Sequence, residues 1–224
     1  MGIDGKVVLI TGSSGGLGQT VVPSFMSAGA RVVAVDRDPP PAQRAGVNVM
    51  TADVTDEAHV RRLVDDIART VGSIDVLINL VGGFALGRVV YTDASLWQRM
   101  LTMNLTSAFL LSKAVLPHML EQQAGRILHV AARAALEPFP GAAAYIVSKS
   151  GLVAMIHALS LELAGSGVTV NGVLPTTIDT PANRQCMPDA DPSKWARPES
   201  IAQTLLFLAS EEASQINGAL VPVG

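Results

Sequence analysis

One doubly wound α/β domain, a parallel sheet with helices on both faces, is the fold class that three observations predict. Short apolar, β-branched runs recur along the chain, longer stretches with helical spacing separate them, and the first run passes directly into a glycine-rich turn. The runs are KVVLIT (6–11), RVVAVD (31–36), VNVM (47–50), IDVLIN (74–79), RILHVA (126–131), VTVNGVL (168–174) and ALVPV (219–223). Their near-continuous hydrophobicity is what strands buried on both faces require. The intervening DEAHVRRLVDDIART, ASLWQRMLTMNLTSAFLLSKAVLPHML and YIVSKSGLVAMIHALSLELAG place apolar residues at helical intervals.

The 224 residues suit a single domain spanning positions 1–224, and a chain that is 49% hydrophobic and 16% charged has the composition of a packed domain rather than a disordered one. A net charge of −3 with scattered basic residues lacks the footprint of a nucleic-acid binder. The lone Cys186 forms no internal disulfide, so a reducing, cytoplasmic setting is expected. There is no leader pattern and no unbroken apolar run of membrane-span length, so no membrane association is expected. His59, His118 and His157 fall in predicted helices without ligand partners in spacing, and no metal site is expected. DPPPAQ (38–43) reads as a local rigid loop. The Pro-rich, polar segment 175–200 reads as a long loop of the kind that forms lids or substrate walls.

TGSSGGLG (11–18) follows the first strand and opens a helix. Gly12, Gly16 and Gly18 permit a tight turn, close approach of backbone to a pyrophosphate, and exposure of helix N-terminal amides to its charge. Asp36 closes the second strand, where a carboxylate accepts hydrogen bonds from ribose hydroxyls and repels a 2′-phosphate. The expectation is a Rossmann-type site that prefers NAD(H); the neighbouring Arg37 leaves NADP(H) open. Pro23, inside the predicted first helix, removes an amide donor and predicts a kink.

Tyr145 and Lys149 lie at i and i+4, on one face of a helix that follows the fifth strand. A tyrosine ordinarily ionises near pH 10, and a nearby ammonium stabilises phenolate, so Lys149 is expected to lower the Tyr145 pKa toward a useful range.

With TGSSGGLG, ADVT, MNL and YIVSK in order, the chain resembles the classical short-chain dehydrogenase/reductase family from end to end. That resemblance implies Tyr145 as catalytic acid/base, Lys149 as its electrostatic partner and anchor for the nicotinamide ribose, and Asn104 as holder of a relay water. It implies a cofactor set of Gly12, Ser14, Gly16, Leu17, Gly18, Asp36, Asp53 at the adenine, Val54, Asn79, Tyr145, Lys149 and Pro175, with Ile178 and Thr180 near the nicotinamide carboxamide. It also implies a small-molecule substrate and a homodimer or homotetramer built on long helices. The usual NNAG after the fourth strand is altered here to NLVGG (79–83).

The family's substrate-orienting serine is missing, because Ala132 occupies its position. A noncatalytic NAD-binding sensor or subunit, a carbonyl/alcohol oxidoreductase with another donor, and a substrate that needs no serine are the three readings. Thr176 is a candidate replacement donor, with local turn chemistry as its ordinary alternative. GGFALG, AALEPFPG, the segment from Val173 and Trp195 are similar to the dihydropteridine reductase branch, which works with alanine at that position on a quinonoid dihydropterin. Retention of Asn104 and the glycine loop depart from that branch. The expected substrate wall is Ala132, Phe84 and Trp195. Trp97 is expected in core or interface, and His129, by strand alternation, as a packed histidine.

Overall fold

The structure, a computed structural model, describes residues 2–38 and 46–224. Of the expected loop at 38–43, positions 39–43 lie outside the described residues. The strands are β1 (Val7–Thr11), β2 (Arg31–Asp36), β3 (Asn48–Thr51), β4 (Val76–Asn79), β5 (Gly125–Val130), β6 (Val168–Pro175) and β7 (Leu220–Val223). Among the described residues they form one seven-stranded sheet in the order β3-β2-β1-β4-β5-β6-β7, with every pairing parallel.

Each apolar run of the sequence became a strand, because both faces of the sheet are covered. Val7 and Leu9 of β1 join one core layer with Val60, Val64 and Ile67 of α2 (Glu57–Thr70), Leu111 of α4 (Ser107–Gln122) and Ile156 of α5 (Ala143–Glu162). Val8 and Ile10 join the other layer, with Val21 and Phe25 of α1 (Gly18–Ser27) and Ile201 and Leu205 of α7 (Pro198–Ala209). The chain reverses its winding direction between β1 and β4, whose Thr11 and Asn79 are register partners, and such a switch point opens a crevice at the strand C-termini.

One expectation is revised. The segment 175–200 is not a continuous loop: Thr180 accepts a hydrogen bond from the Asn183 amide and Pro181 occupies the first turn, so a short helix α6 (Pro181–Cys186) forms. Helix α5 is long and apolar enough by length and composition alone to span a membrane, although Lys149, His157 and Glu162 interrupt its apolar run. It is nevertheless the crossover between β5 and β6, which pair in register from Gly125↔Val168 to Val130↔Val173, and one face of it is buried in the core. Helix α1 continues through Pro23, with Val21, Val22 and Phe25 buried around it.

Helix α3 (Ala94–Leu101) runs into α4 through Thr102–Thr106, where the backbone widens to i→i+5 hydrogen bonding, as in the Ser107 amide donating to the Thr102 carbonyl. Asn104 sits at the centre of this wide turn and is fully buried. Such widened turns reorient a side chain that a regular helix would aim elsewhere.

Candidate active site

The glycine loop closes tightly on itself. A Cβ on Gly18 would lie 2.5 Å from the Gly12 carbonyl oxygen, and Gly12 has φ +72 with its backbone against Leu80. The Ser14 amide donates to Asp36 Oδ2 at 2.9 Å, and the Arg37 amide donates to Oδ1 at 2.8 Å, so the β2 carboxylate is fixed beside the loop. Arg37 itself is exposed and pairs with Asp38 at 3.6 Å. Leu17 is buried and α1 begins at Gly18 without a side-chain cap. Across the loop, a Cβ on Gly16 would lie 2.8 Å from the methyl of Thr180.

The crevice floor is polar. Asn79 Oδ1 accepts from Thr11 Oγ1 at 2.9 Å and from the Val81 amide at 3.0 Å, which fixes the turn after β4. Asp53 Oδ1 accepts from the Thr55 hydroxyl at 2.6 Å and from the Thr55 amide at 2.9 Å, and these bonds hold its carboxyl below the usual range. Val54 is buried beside it. After β6, which ends at Pro175, Ile178 bridges to Ala196, the residue next to Trp195. Thr176 is lodged against Gly224, its hydroxyl buried without a partner.

A nicotinamide dinucleotide fits this set. The Ser13 and Ser14 hydroxyls are buried without partners inside the glycine loop, which is where phosphate oxygens would supply acceptors.

Tyr145 and Lys149 stand on successive turns of α5. Lys149 is buried and its Nζ donates to the Val130 carbonyl at 2.9 Å, immediately before the Ala131–Ala132 turn. Burial of that ammonium lowers its pKa to about 8. Burial raises Tyr145 to about 12. The sequence-based expectation of a lowered tyrosine is therefore reversed here, because loss of hydration penalises phenolate and Lys149 is turned to Val130.

The Asn104 side chain is fully hydrogen-bonded within the protein. Its Oδ1 accepts from the Gly83 amide at 2.9 Å, and its Nδ2 donates to the Gly83 carbonyl at 3.0 Å and to Ser148 Oγ at 2.9 Å. Ser148 in turn donates to the Tyr145 carbonyl at 2.7 Å. The amide is thus committed to protein partners and ties the turn after β4 to the helical turn that carries Tyr145. Sequence reasoning missed Ser148 and Gly82. The signal for Gly82 was the altered NLVGG: a Cβ there would lie 2.7 Å from Asn104 Oδ1 and 3.1 Å from Lys149 Nζ.

Phe84 reaches the site, its ring edge-on to Tyr145 with centroids 4.9 Å apart. Ala132 is buried at the end of β5 and offers no hydroxyl. Trp195 is half-buried on the far segment, and Trp97 is partly exposed on α3. His129 is fully buried with Nε2 3.1 Å from Ser112 Oγ, and burial drops its pKa to about 3, as suits a packed neutral histidine.

Comparison with known proteins agrees with this arrangement. The short chain dehydrogenase family model matches residues 6–191. The chain is 31% identical to 2-(S)-hydroxypropyl-CoM dehydrogenase 3 of Xanthobacter autotrophicus, over 97% of this chain and 94% of that protein. It is 33% identical to meso-2,3-butanediol dehydrogenase of Serratia marcescens, over 100% and 94%. The ligand-free structure of Thermoplasma acidophilum aldohexose dehydrogenase superposes with a TM-score of 0.91 at 28% identity, covering 99% of this chain and 93% of that one. A glycine loop at the switch point, a buried lysine one turn from a tyrosine and a family match across most of the chain together establish that the chain belongs to the short-chain dehydrogenase family and is an oxidoreductase of that type.

Proposed function

We propose that the protein transfers hydride between NAD(H) and a small secondary alcohol or ketone, with Tyr145 as the group that gives or takes the proton at the reacting oxygen. The observation that carries this reading is the buried Lys149 ammonium one helical turn from a Tyr145 hydroxyl held neutral by its surroundings. A neutral phenol is the form that donates a proton in the reductive direction, and the Lys149 cation, once released from Val130 toward the site, would stabilise the phenolate left behind.

The nicotinamide ring supplies or accepts the hydride. Gly12, Ser14, Gly16, Leu17 and Gly18 would hold the pyrophosphate, Asp36 the adenosine ribose, and Asp53 with Val54 the adenine. Asn79, Pro175, Ile178 and Thr180 would line the nicotinamide end. NAD(H) is preferred over NADP(H): the Asp36 carboxylate is fixed at the loop, and Arg37 turns to Asp38. Lys149 would leave Val130 for the nicotinamide ribose hydroxyls. With the Asn104 side chain committed, any relay water at that residue would rest on its main-chain carbonyl. Phe84, Ala132 and Trp195 would border the substrate.

A homodimer or homotetramer fits exposed apolar residues on the long helices, Phe109 of α4 and Val147 and Leu161 of α5. A cytoplasmic setting accords with the single free Cys186. Ala132 keeps a second reading in play, a quinonoid dihydropterin reductase, since reduction of a conjugated ring does not call for a serine on a carbonyl oxygen. The same alanine suits a noncatalytic NAD-binding sensor. NADH consumption by purified protein, measured with ketones, aldehydes and quinonoid dihydropterin beside Tyr145→Phe, separates the three. Tyr145-dependent turnover of ketones supports the proposal, turnover of the pterin alone supports the second reading, and NADH binding without turnover supports the sensor.

A further inference from the structure

His129 is fully buried near the end of β5, and the chemistry proposed above makes no use of it. Its ring is neutral, since burial holds its pKa at about 3. The direction of its hydrogen bonding follows from Ser112. The Ser112 hydroxyl has one hydrogen, which goes to the Ala108 carbonyl at 2.8 Å, one turn back on α4. At its 3.1 Å contact with His129 Nε2, the Ser112 oxygen is therefore the acceptor. Nε2 carries the ring hydrogen, and Nδ1 is left as a bare lone pair, buried and without a hydrogen-bond partner among the described residues.

A buried acceptor costs stability unless a donor reaches it. Around the ring, β4 and β6 supply the register partners Asn79 and Gly172, α4 supplies Ser112, and α5 supplies Lys149, with Tyr145 one turn before it. The Asn79 oxygen is taken by Thr11 and the Val81 amide. Lys149 is the charged group that acts on His129. It is itself buried, and its Nζ donates to the carbonyl of Val130, the residue next to His129. An ammonium has three hydrogens, so two remain to be placed. We infer that His129 is a positioning residue for Lys149, joined to it through one buried water that accepts from Nζ and donates to Nδ1. Bridging waters pair buried polar groups that lie beyond direct reach of each other. The line then runs from Lys149 through the water, His129 and Ser112 to the Ala108 carbonyl, with every hydrogen pointing the same way. It ends on a backbone carbonyl, so it delivers no proton to solvent. It keeps hold of the ammonium when the cofactor draws it from Val130, and it favours the charged form against burial. The effect on turnover rests on the hydride-transfer reading above, whereas the link itself does not.

Two replacements separate the ring nitrogens. His129→Asn keeps an acceptor at the Nδ1 position and gives up Ser112, whereas His129→Gln reaches Ser112 and gives up Nδ1. With NADH and 2-butanone, His129→Gln is expected to lower kcat by about tenfold, and His129→Asn to stay within about threefold of the parent despite melting at a lower temperature. Loss of the acceptor disfavours the ammonium, so the limb of the pH profile near 8 should move to lower pH in His129→Gln and stay in place in His129→Asn. NADH binding, followed by fluorescence, needs no turnover. His129→Gln should weaken it by about fivefold in the parent and by less than about twofold in a Lys149→Met background. Nitrogen-15 spectra of the ligand-free protein should place the His129 hydrogen on Nε2 and show an Nδ1 signal that shifts in Lys149→Met. Three results overturn the inference: kcat losses in the two variants that follow only their melting temperatures, the same loss of NADH affinity with and without Lys149, or an Nδ1 signal indifferent to Lys149→Met, which would give the lone pair to another donor such as the Asn79 amide. A parent protein that binds NADH and reduces nothing would sink the hydride-transfer reading, and the binding and spectral results would still decide the link.

Discussion

Asn104 and Gly83 hold each other through two hydrogen bonds, at 2.9 and 3.0 Å, across the gap between the wide helical turn and the loop after β4. Because the third bond of Asn104 goes to Ser148, one side chain fixes both the floor beside Lys149 and the helical turn that bears Tyr145. Asn104→Ala leaves the Gly83 amide and carbonyl without these partners, at a cost on the order of 1–3 kcal/mol. The expected outcome is a lower melting temperature together with a kcat loss of about tenfold or more, since misplacement of reacting groups is costly. Chemical denaturation and steady-state kinetics on the same variant check both.

Burial of the Lys149 ammonium costs stability. Its folded pKa of about 8 lies below the ordinary 10.5, so the unfolded chain binds more protons between those values. Stability from this group therefore rises as pH goes from 8 to 10.5, and the full penalty applies below 8. Lys149→Met should stabilise the ligand-free protein at pH 7 by up to about 3 kcal/mol, with the gain gone near pH 10.5, and should abolish turnover. Melting curves of the two proteins across pH 7–11 check the sign.

Tyr145 shifts the other way. A folded pKa near 12 keeps the phenol protonated where an unfolded tyrosine ionises, so this group erodes stability as pH rises from 10 to 12. The difference in phenolate absorbance between the parent and Tyr145→Phe should be near zero at pH 11 without ligand. Added NAD, with its positive nicotinamide ring, should bring a phenolate signal out at lower pH.

Restoring the missing hydroxyl is the converse experiment. Ala132 is buried at the end of β5, and a serine adds one oxygen there. Ala132→Ser is expected to raise kcat on ketones by about tenfold or more, as one donor at a developing oxyanion is worth that much. Parallel assays with quinonoid dihydropterin should show no such gain.

The parts of this molecule legible from sequence are those carried by local pattern. Unbroken apolar runs marked strands because two covered faces demand them, and the i, i+4 spacing put Tyr145 and Lys149 on one face of α5. The Thr180-Pro181 start of α6 was also local, a cap followed by an N1 proline, and the surrounding polar residues obscured it. What the sequence did not disclose depends on distance and burial. The Asn104–Gly83–Ser148 network joins residues that only the crossover topology brings together. The direction of the Tyr145 shift follows from loss of water around the ring, which no spacing rule reports.

The most direct test of the account is single-turnover reduction of a ketone by NADH-loaded protein, with Tyr145→Phe alongside and NADH binding measured for both. The account predicts equal NADH affinity and a loss of about a hundredfold or more in the rate of hydride transfer for the variant. An unchanged rate in Tyr145→Phe would contradict it and remove Tyr145 from the chemistry.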